Sequence, residues 1–284
     1  MRLRRTMSRS IEWPLLNNPM IPMKVVWLLC VAMVLGIIMP KTDAEAEATL
    51  VQIPAGQYTP FFLQSPSKGA VPEVVKSVQL GRFALDSVPV SKMRFLDFVR
   101  SHPEWRKSTV ARVFADESYL TDWPNDLSYG TKDQTAEPVT NISWFAARAF
   151  CEAEDMQLPT TDQWEYALYD QGRNAQDTSR IALQWLAEPN AASLHKIGIA
   201  KPNGYGVYDL VGLVWEWTED FDSFVSGNEL RASDGKNGAA FCGAGGIGVK
   251  DTADYPAFMR FAMRASLKAS YTVKNLGFRC AKDL

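Results

Sequence analysis

Hydrophobic and polar positions change period several times along this chain, and each period predicts a different element. An unbroken apolar run, Val25 to Met39, follows a basic, acid-poor stretch at residues 1–24. At about 15 residues the run is shorter than the roughly 20 that span a bilayer. Pro40 and a small-residue stretch, Thr42 to Ala48, come next. This order reads as a secretory signal with an A-x-A cleavage site after Ala46 or Ala48; the alternative is an uncleaved anchor. Met20 and Met23 are candidate starts, because the basic region is long for a signal. Arg4-Arg5 lies too far from the apolar run to act as a twin-arginine signal, and Cys30 has no lipobox around it. Residues 1–46 are therefore assigned to the signal and 47–284 to the exported domain.

Within that domain the pattern alternates first. Leu50 to Tyr58 has a period of two and meets a Pro/Gly turn, so it is expected to be a strand, as is Val78 to Leu85. A period of 3.6 follows. Ser91 is placed to cap a helix reaching about Arg100, with Phe95, Leu96 and Val99 on one face. Ser143 caps a second helix, Trp144 to Asp155. Thr160 and Gln163 form a capping box for a third, over 161–170, closed by Gly172. Residues 101–137 are irregular and rich in Trp, Asp, Pro and Tyr, and from 171 onward loop and short strand are expected. No internal repeat, heptad or low-complexity linker interrupts the domain. One α+β domain with much irregular structure is the reading.

Charge and cysteines narrow the chemistry. Removing residues 1–46 leaves 24 of the 30 basic and 29 of the 32 acidic side chains, a net charge of about −5. A mildly acidic chain with no Lys/Arg cluster is a poor nucleic-acid binder. Export leaves Cys151, Cys242 and Cys280, of which two can pair in an oxidising compartment. The only histidines, His102 and His195, lie in unrelated regions, which argues against a histidine metal centre or a Ser-His-Asp triad. Gly243-Ala244-Gly245-Gly246-Ile247-Gly248 matches G-x-G-x-x-G in letters only. No helix with a later acidic residue in a βαβ unit follows, and Pro256 arrives soon after.

Six motifs then recur in a familiar order: Val51 to Gly56; Val88-Pro89-Val90 with Phe95 and Phe98; Pro138 to Trp144 leading to Cys151; Leu158-Pro159-Thr160 through Trp164 to Ala167; Asn203 to Asp209 running into Gly212 to Trp217; and Asn275 to Cys280. Together they resemble the formylglycine-generating enzyme family over nearly the whole exported domain. The resemblance implies a C-type-lectin-like α+β fold with low regular secondary structure. The bland readings stand beside it: Trp215 and Trp217 as core, Leu158-Pro159-Thr160 as a helix start, Arg279 as the partner of a buried carboxylate. Fold alone does not give activity.

The family oxidises a substrate cysteine with two cysteines that hold copper. Here the matching stretch, Phe241 to Arg264, contains only Cys242. Counting back from Cys280, the pair would fall near Asp251 and Pro256, and neither side chain replaces a thiolate. One thiolate does not make a two-coordinate soft-metal site, so no copper-dithiolate centre is expected and the family's cysteine oxidation is rejected. The resemblance also implies a Cys151–Cys280 disulfide. Cys242 is then a small buried hydrophobe, a reactive thiol or a single metal ligand. A structural calcium is implied at Asp209, Gly212, Val214 and Glu216, oxygen donors that suit a hard cation. The plainer reading is a carboxylate pair on backbone amides. A second calcium site near Asn190-Ala191 is expected to be lost.

The segment Phe258 to Thr272, the Cys242-Gly243 run and the export signal look like a branch of the family that lacks the cysteine pair. That branch includes periplasmic siderophore-maturation proteins and nitrite-reductase accessory proteins. The resemblance implies an oxidoreductase of the periplasm acting on a siderophore precursor, the oxidation of dihydropyoverdine, with other periplasmic pyoverdine-maturation proteins as partners and the redox cofactor left open. A non-catalytic binding or assembly factor on the same fold, or a nitrite-reductase accessory protein, is the rival. Arg260 and Arg264 are expected to orient an anionic or catecholic substrate, or else to form a salt-bridged surface. Trp215 is expected to stack on its ring, and Asp251 or Tyr255 to move a proton, with Cys242 a further catalytic candidate.

Overall fold

The computed structural model describes residues 48–60, 77–173, 175–187, 194–222 and 255–284. The signal region, Asn190-Ala191, Cys242, the glycine run at 243–248 and Asp251 lie outside these residues.

Both expected strands are broken in two. Leu50–Ile53 (β1) and Gly56–Tyr58 (β2) are separated by Pro54 and Ala55; Val78–Leu80 (β3) and Phe83–Asp86 (β4) are separated by Gly81 and Arg82. The halves pair crosswise. β1 runs antiparallel to β4, with Leu50 opposite Asp86 and Ile53 opposite Phe83, while β2 pairs with β3. Pro54 has no N–H to donate, so a continuous ladder stops there and the chain changes sheet. The closing strand Ala281–Asp283 (β7) joins the far side of β4. A two-residue parallel pair, Trp215–Glu216 (β5) with Leu276–Gly277 (β6), forms a separate small sheet. Its close approach leaves no room for a side chain at Gly277, where a Cβ would sit 2.7 Å from the Val139 carbonyl oxygen.

Three helices start where local chemistry places them. Ser91 Oγ accepts the Arg94 N–H at the start of Lys92–Ser101 (α1), and Ser143 Oγ accepts the Ala146 N–H at the start of Trp144–Ala153 (α2). Thr160 and Gln163 form a reciprocal capping box for Thr161–Tyr169 (α3). The third helix ends within one residue of the expected 170, but its left-handed cap is Asp170 rather than Gly172. Asp170 takes a left-handed conformation (φ 45°). Its carboxylate accepts the Gly204 N–H and the Arg173 guanidinium, which holds an aspartate in a conformation that short polar residues tolerate. Residues 101–137 carry only two short 3-10 turns, as expected. Two helices in the second half depart from the expected loops: Ala175–Ala187 (α4) and Tyr255–Ala265 (α5).

An aromatic core lies between α1, α2 and the C-terminal strands. Phe95 stacks on Phe150 at 6.0 Å, and Phe278 meets Phe150 edge-on at 5.2 Å. Trp217 is fully buried and donates its indole N–H to the Ile142 carbonyl. A disulfide joins Cys151 of α2 to Cys280, and both cysteines are inaccessible to solvent. Such rings bury large apolar areas, each contributing roughly 2–3 kcal/mol by area.

Candidate functional site

α4 and α5 pack together and, with α3 and β5, enclose a cavity of about 220 Å³. Each helix gives it one face. Thr178, Ser179, Ala182, Trp185 and Leu186 of α4 line it, as do Pro256, Ala257, Arg260, Met263 and Arg264 of α5. Both sets follow the i, i+4, i+7 spacing of one helical face. α3 adds Trp164, Leu168 and Tyr169, and β5 adds Trp215 and Glu216.

Three tryptophans form much of the wall. The Trp185 and Trp215 rings lie 4.7 Å apart, inclined at 55°. Trp164 donates its indole N–H to Glu216 Oε2 at 2.7 Å, and the Arg260 guanidinium lies 4.8 Å from its ring. This cation–π contact fixes both groups.

The two arginines have different surroundings. Arg260 donates to Glu165 Oε1 at 2.7 Å, a pair that is almost fully buried. Glu165 in turn lies 3.4 Å from the Tyr58 hydroxyl, which donates to Asp162 at 2.7 Å. Burial first, and then the Glu165 charge, push the Tyr58 phenol far above its ordinary range, so it stays neutral. Arg264 donates Nη1 to Thr161 Oγ1 at 2.6 Å, and that oxygen lies 3.1 Å from the Thr218 hydroxyl. Among the described residues no carboxylate forms an ion pair with Arg264, and its Nε is buried without an acceptor. Burial, followed by the positive charge of Arg260, lowers the Arg264 pKa, yet a guanidinium keeps its proton.

The expected substrate-binding residues Trp215, Arg260 and Arg264 thus come together in one cavity. Tyr255 does not join them: at the start of α5 it is 42% exposed and lines no part of the cavity. Pro256, near one of the positions where the counting places a family cysteine, does line it. The sequence reading missed Trp185, Trp164, Tyr169 and Thr218, all of which line the cavity. The 3.6-residue spacing of 178, 182, 185 and 186 was the signal available for α4.

The residues at the expected calcium positions make other contacts here. Glu216 Oε2 accepts Arg279 Nε and its Oε1 accepts Arg279 Nη2, both at 2.8 Å, with both side chains inaccessible to solvent. Asp209, in a left-handed conformation (φ 56°), accepts the Gly198 N–H at 2.5 Å, and burial raises its pKa. Gly212 also has a positive φ of 96°, and Val214 is buried. With both Glu216 oxygens held by a guanidinium, these residues as placed do not fit a cation bound through the two carboxylates. Among the described residues no group of three or more His, Cys, Asp or Glu is disposed to hold a metal. His102 stacks on Phe98 at 4.6 Å, and His195 is exposed.

The sulfatase-modifying factor enzyme 1-like domain description matches residues 37–284, most of the chain. The chain belongs to this FGE-sulfatase family. Its fold is accordingly the mixed α+β, loop-rich fold of the family. Among its relatives, the inactive C-alpha-formylglycine-generating enzyme 2 of Bos taurus is 29% identical over 278 residues, covering 82% of this chain and 87% of that protein. The formylglycine-generating enzyme of Streptomyces coelicolor is 26% identical over 282 residues, covering 82% and 88%. The solved structure of PvdO from Pseudomonas aeruginosa aligns with a TM-score of 0.45 at 14% identity, covering 85% of this chain and 97% of that one. CarF aligns with a TM-score of 0.44 at 15% identity, covering 84% and 99%.

Proposed function

We propose that this FGE-sulfatase family protein is a periplasmic siderophore-maturation protein that takes dihydropyoverdine into the α4–α5 cavity and promotes its oxidation to the conjugated chromophore. The observation that carries the reading is the cavity itself, tryptophan-walled and arginine-bearing, in a chain whose cysteine inventory excludes the family's thiol pair. Cys151 and Cys280 are joined to each other, which leaves Cys242 as the single other cysteine of the exported domain. The similarity of Phe258 to Thr272 and of the Cys242-Gly243 run to the pyoverdine-maturing branch supports the choice of substrate.

The chemistry asked of the site is modest. The dihydro ring loses two electrons and two protons, and dioxygen takes them up to become hydrogen peroxide. The protein's share is to hold the flat ring against Trp215 and Trp185 and to stabilise negative charge on the bound ligand with the Arg264 guanidinium. Asp251 remains the proposed proton acceptor.

The test is to incubate the purified protein with dihydropyoverdine in air and follow product mass and fluorescence. Loss of two hydrogens faster than in a protein-free blank is expected. Cys242→Ser should retain full activity if no thiol takes part; a large loss would place Cys242 in the chemistry.

A binding role without turnover is the second reading. The Bos taurus relative bears the name inactive. Glu216, the only carboxylate lining the described part of the cavity, is engaged by Arg279. Tight binding of the precursor with no acceleration of its oxidation would favour this reading over the first.

A further inference from the structure

We propose that Arg264 is the receptor for a carboxylate carried on the flat aromatic ligand, and that Arg260 is a positioning residue with no direct part in anion recognition. The inference rests on the reading that the α4–α5 cavity is the ligand site; it adds which ligand class the site selects and which cation selects it.

The two guanidinium groups sit one helical turn apart on α5 and both line the cavity. Their commitments separate them. Arg260 is charge-matched by Glu165 at 2.7 Å and lies against the Trp164 ring. Trp164 is itself tied to Glu216, and Glu216 to Arg279. Arg260 is therefore one end of a chain of contacts that fixes the cavity wall. Arg264 has no matching carboxylate among the described residues. Its Nη1 donates to Thr161 and its Nη2 makes no hydrogen bond there; a buried Nε without an acceptor is common to both arginines, so the carboxylate is what distinguishes them. The nearby Asp220 accepts the Thr161 N–H and forms no ion pair with Arg264.

Burying a cation without a counter-charge is unfavourable, and a second cation beside it makes it more so. An anion entering the cavity removes both costs at once. The free edge of the Arg264 guanidinium, Nε with Nη2, is the fork that pairs with the two oxygens of a planar carboxylate. Thr218 also lines the cavity, and its hydroxyl, hydrogen-bonded to Thr161, supports the Nη1 side of the same guanidinium. The remaining wall is aromatic and aliphatic, so the rest of the ligand is expected to be a flat apolar ring.

The test is calorimetric titration of the full protein with quinoline-2-carboxylate and with quinoline, its neutral counterpart. Wild type should bind the carboxylate at least tenfold more tightly, with an affinity that falls as salt is raised. Arg264→Gln should bind both ligands alike, near the wild-type affinity for quinoline. Arg264→Lys should restore part of the preference, since an ammonium supplies charge without the fork. Arg260→Gln should weaken both ligands together and keep their ratio. Equal binding of the two ligands by wild type, or no binding of either, overturns the proposal without any variant being needed. A preference that survives Arg264→Gln, or that is lost in Arg260→Gln instead, overturns it also. The oxidation assay is separate. If dihydropyoverdine is turned over with no carboxylate preference, the assignment to Arg264 falls alone; a preference without turnover removes the oxidase reading alone.

Discussion

Arg279 shows how one residue organises the middle of this molecule. It is inaccessible to solvent, and all five of its N–H donors have an acceptor: two on Glu216, and the carbonyls of Asp86, Ser87 and Tyr208. Lysine has charge but no fork, so Arg279→Lys would leave several of these acceptors unmet. We expect a loss of about 3–5 kcal/mol in unfolding free energy, measured in urea; a change under about 1 kcal/mol would show that the network contributes little. Glu219 offers a test of the opposite sign. Its Oε2 is buried without a partner among the described residues, Arg148 is 3.7 Å from its Oε1, and burial raises its pKa. A carboxyl whose folded pKa is raised contributes stability below its unfolded value, near 4.3, and loses that contribution as pH rises through the folded value. Glu219→Gln stays neutral throughout. Its melting temperature relative to wild type should rise between pH 4 and pH 7, and a flat difference would contradict the assignment. A buried carboxylate partner for Arg279 is legible in the sequence, but its identity is not, because Glu216 lies 63 residues away along the chain.

At the scale of elements, caps were legible and partners were not. Ser91, Ser143 and Thr160 with Gln163 each act on backbone amides three residues away, so their placement follows from local sequence. The alternating runs at 50–58 and 78–85 showed strand character correctly. They did not show that Pro54 and Gly81-Arg82 divide them between two sheets, which depends on the pairing partner. α4 was overlooked although its apolar positions have helical spacing, and it carries Trp185 to the cavity. We expect Trp185→Ala to weaken quinoline-2-carboxylate binding by about tenfold, the upper end of what an aromatic contact contributes. Calorimetry of that variant, with a thermal melt to establish folding, would check this. Unchanged affinity in a folded variant would mean that the Trp185 ring does not face the ligand.

At the scale of the whole molecule, one long-range link is covalent. The Cys151–Cys280 bridge spans 129 residues and ties α2 to the C-terminal segment. Closing so long a loop limits the unfolded chain, and its removal by Cys151→Ser with Cys280→Ser should cost about 2–5 kcal/mol. Denaturant unfolding of the double variant would measure it, and stability equal to wild type would show that the core alone holds the two ends together. This bridge was anticipated through the resemblance of the motifs around both cysteines. Helix starts, strand character and cysteine inventory could be read from the linear chain because each depends on near neighbours or on simple counting. The choice between Arg260 and Arg264 could not. Both are arginines on the same helical face, and only the folded molecule gives one of them an ion pair with Glu165, some 95 residues distant, and leaves the other lining the cavity with no ion pair among the described residues. Electrostatic roles depend on which groups share a buried volume, and that is set by packing across the whole domain rather than by spacing along it.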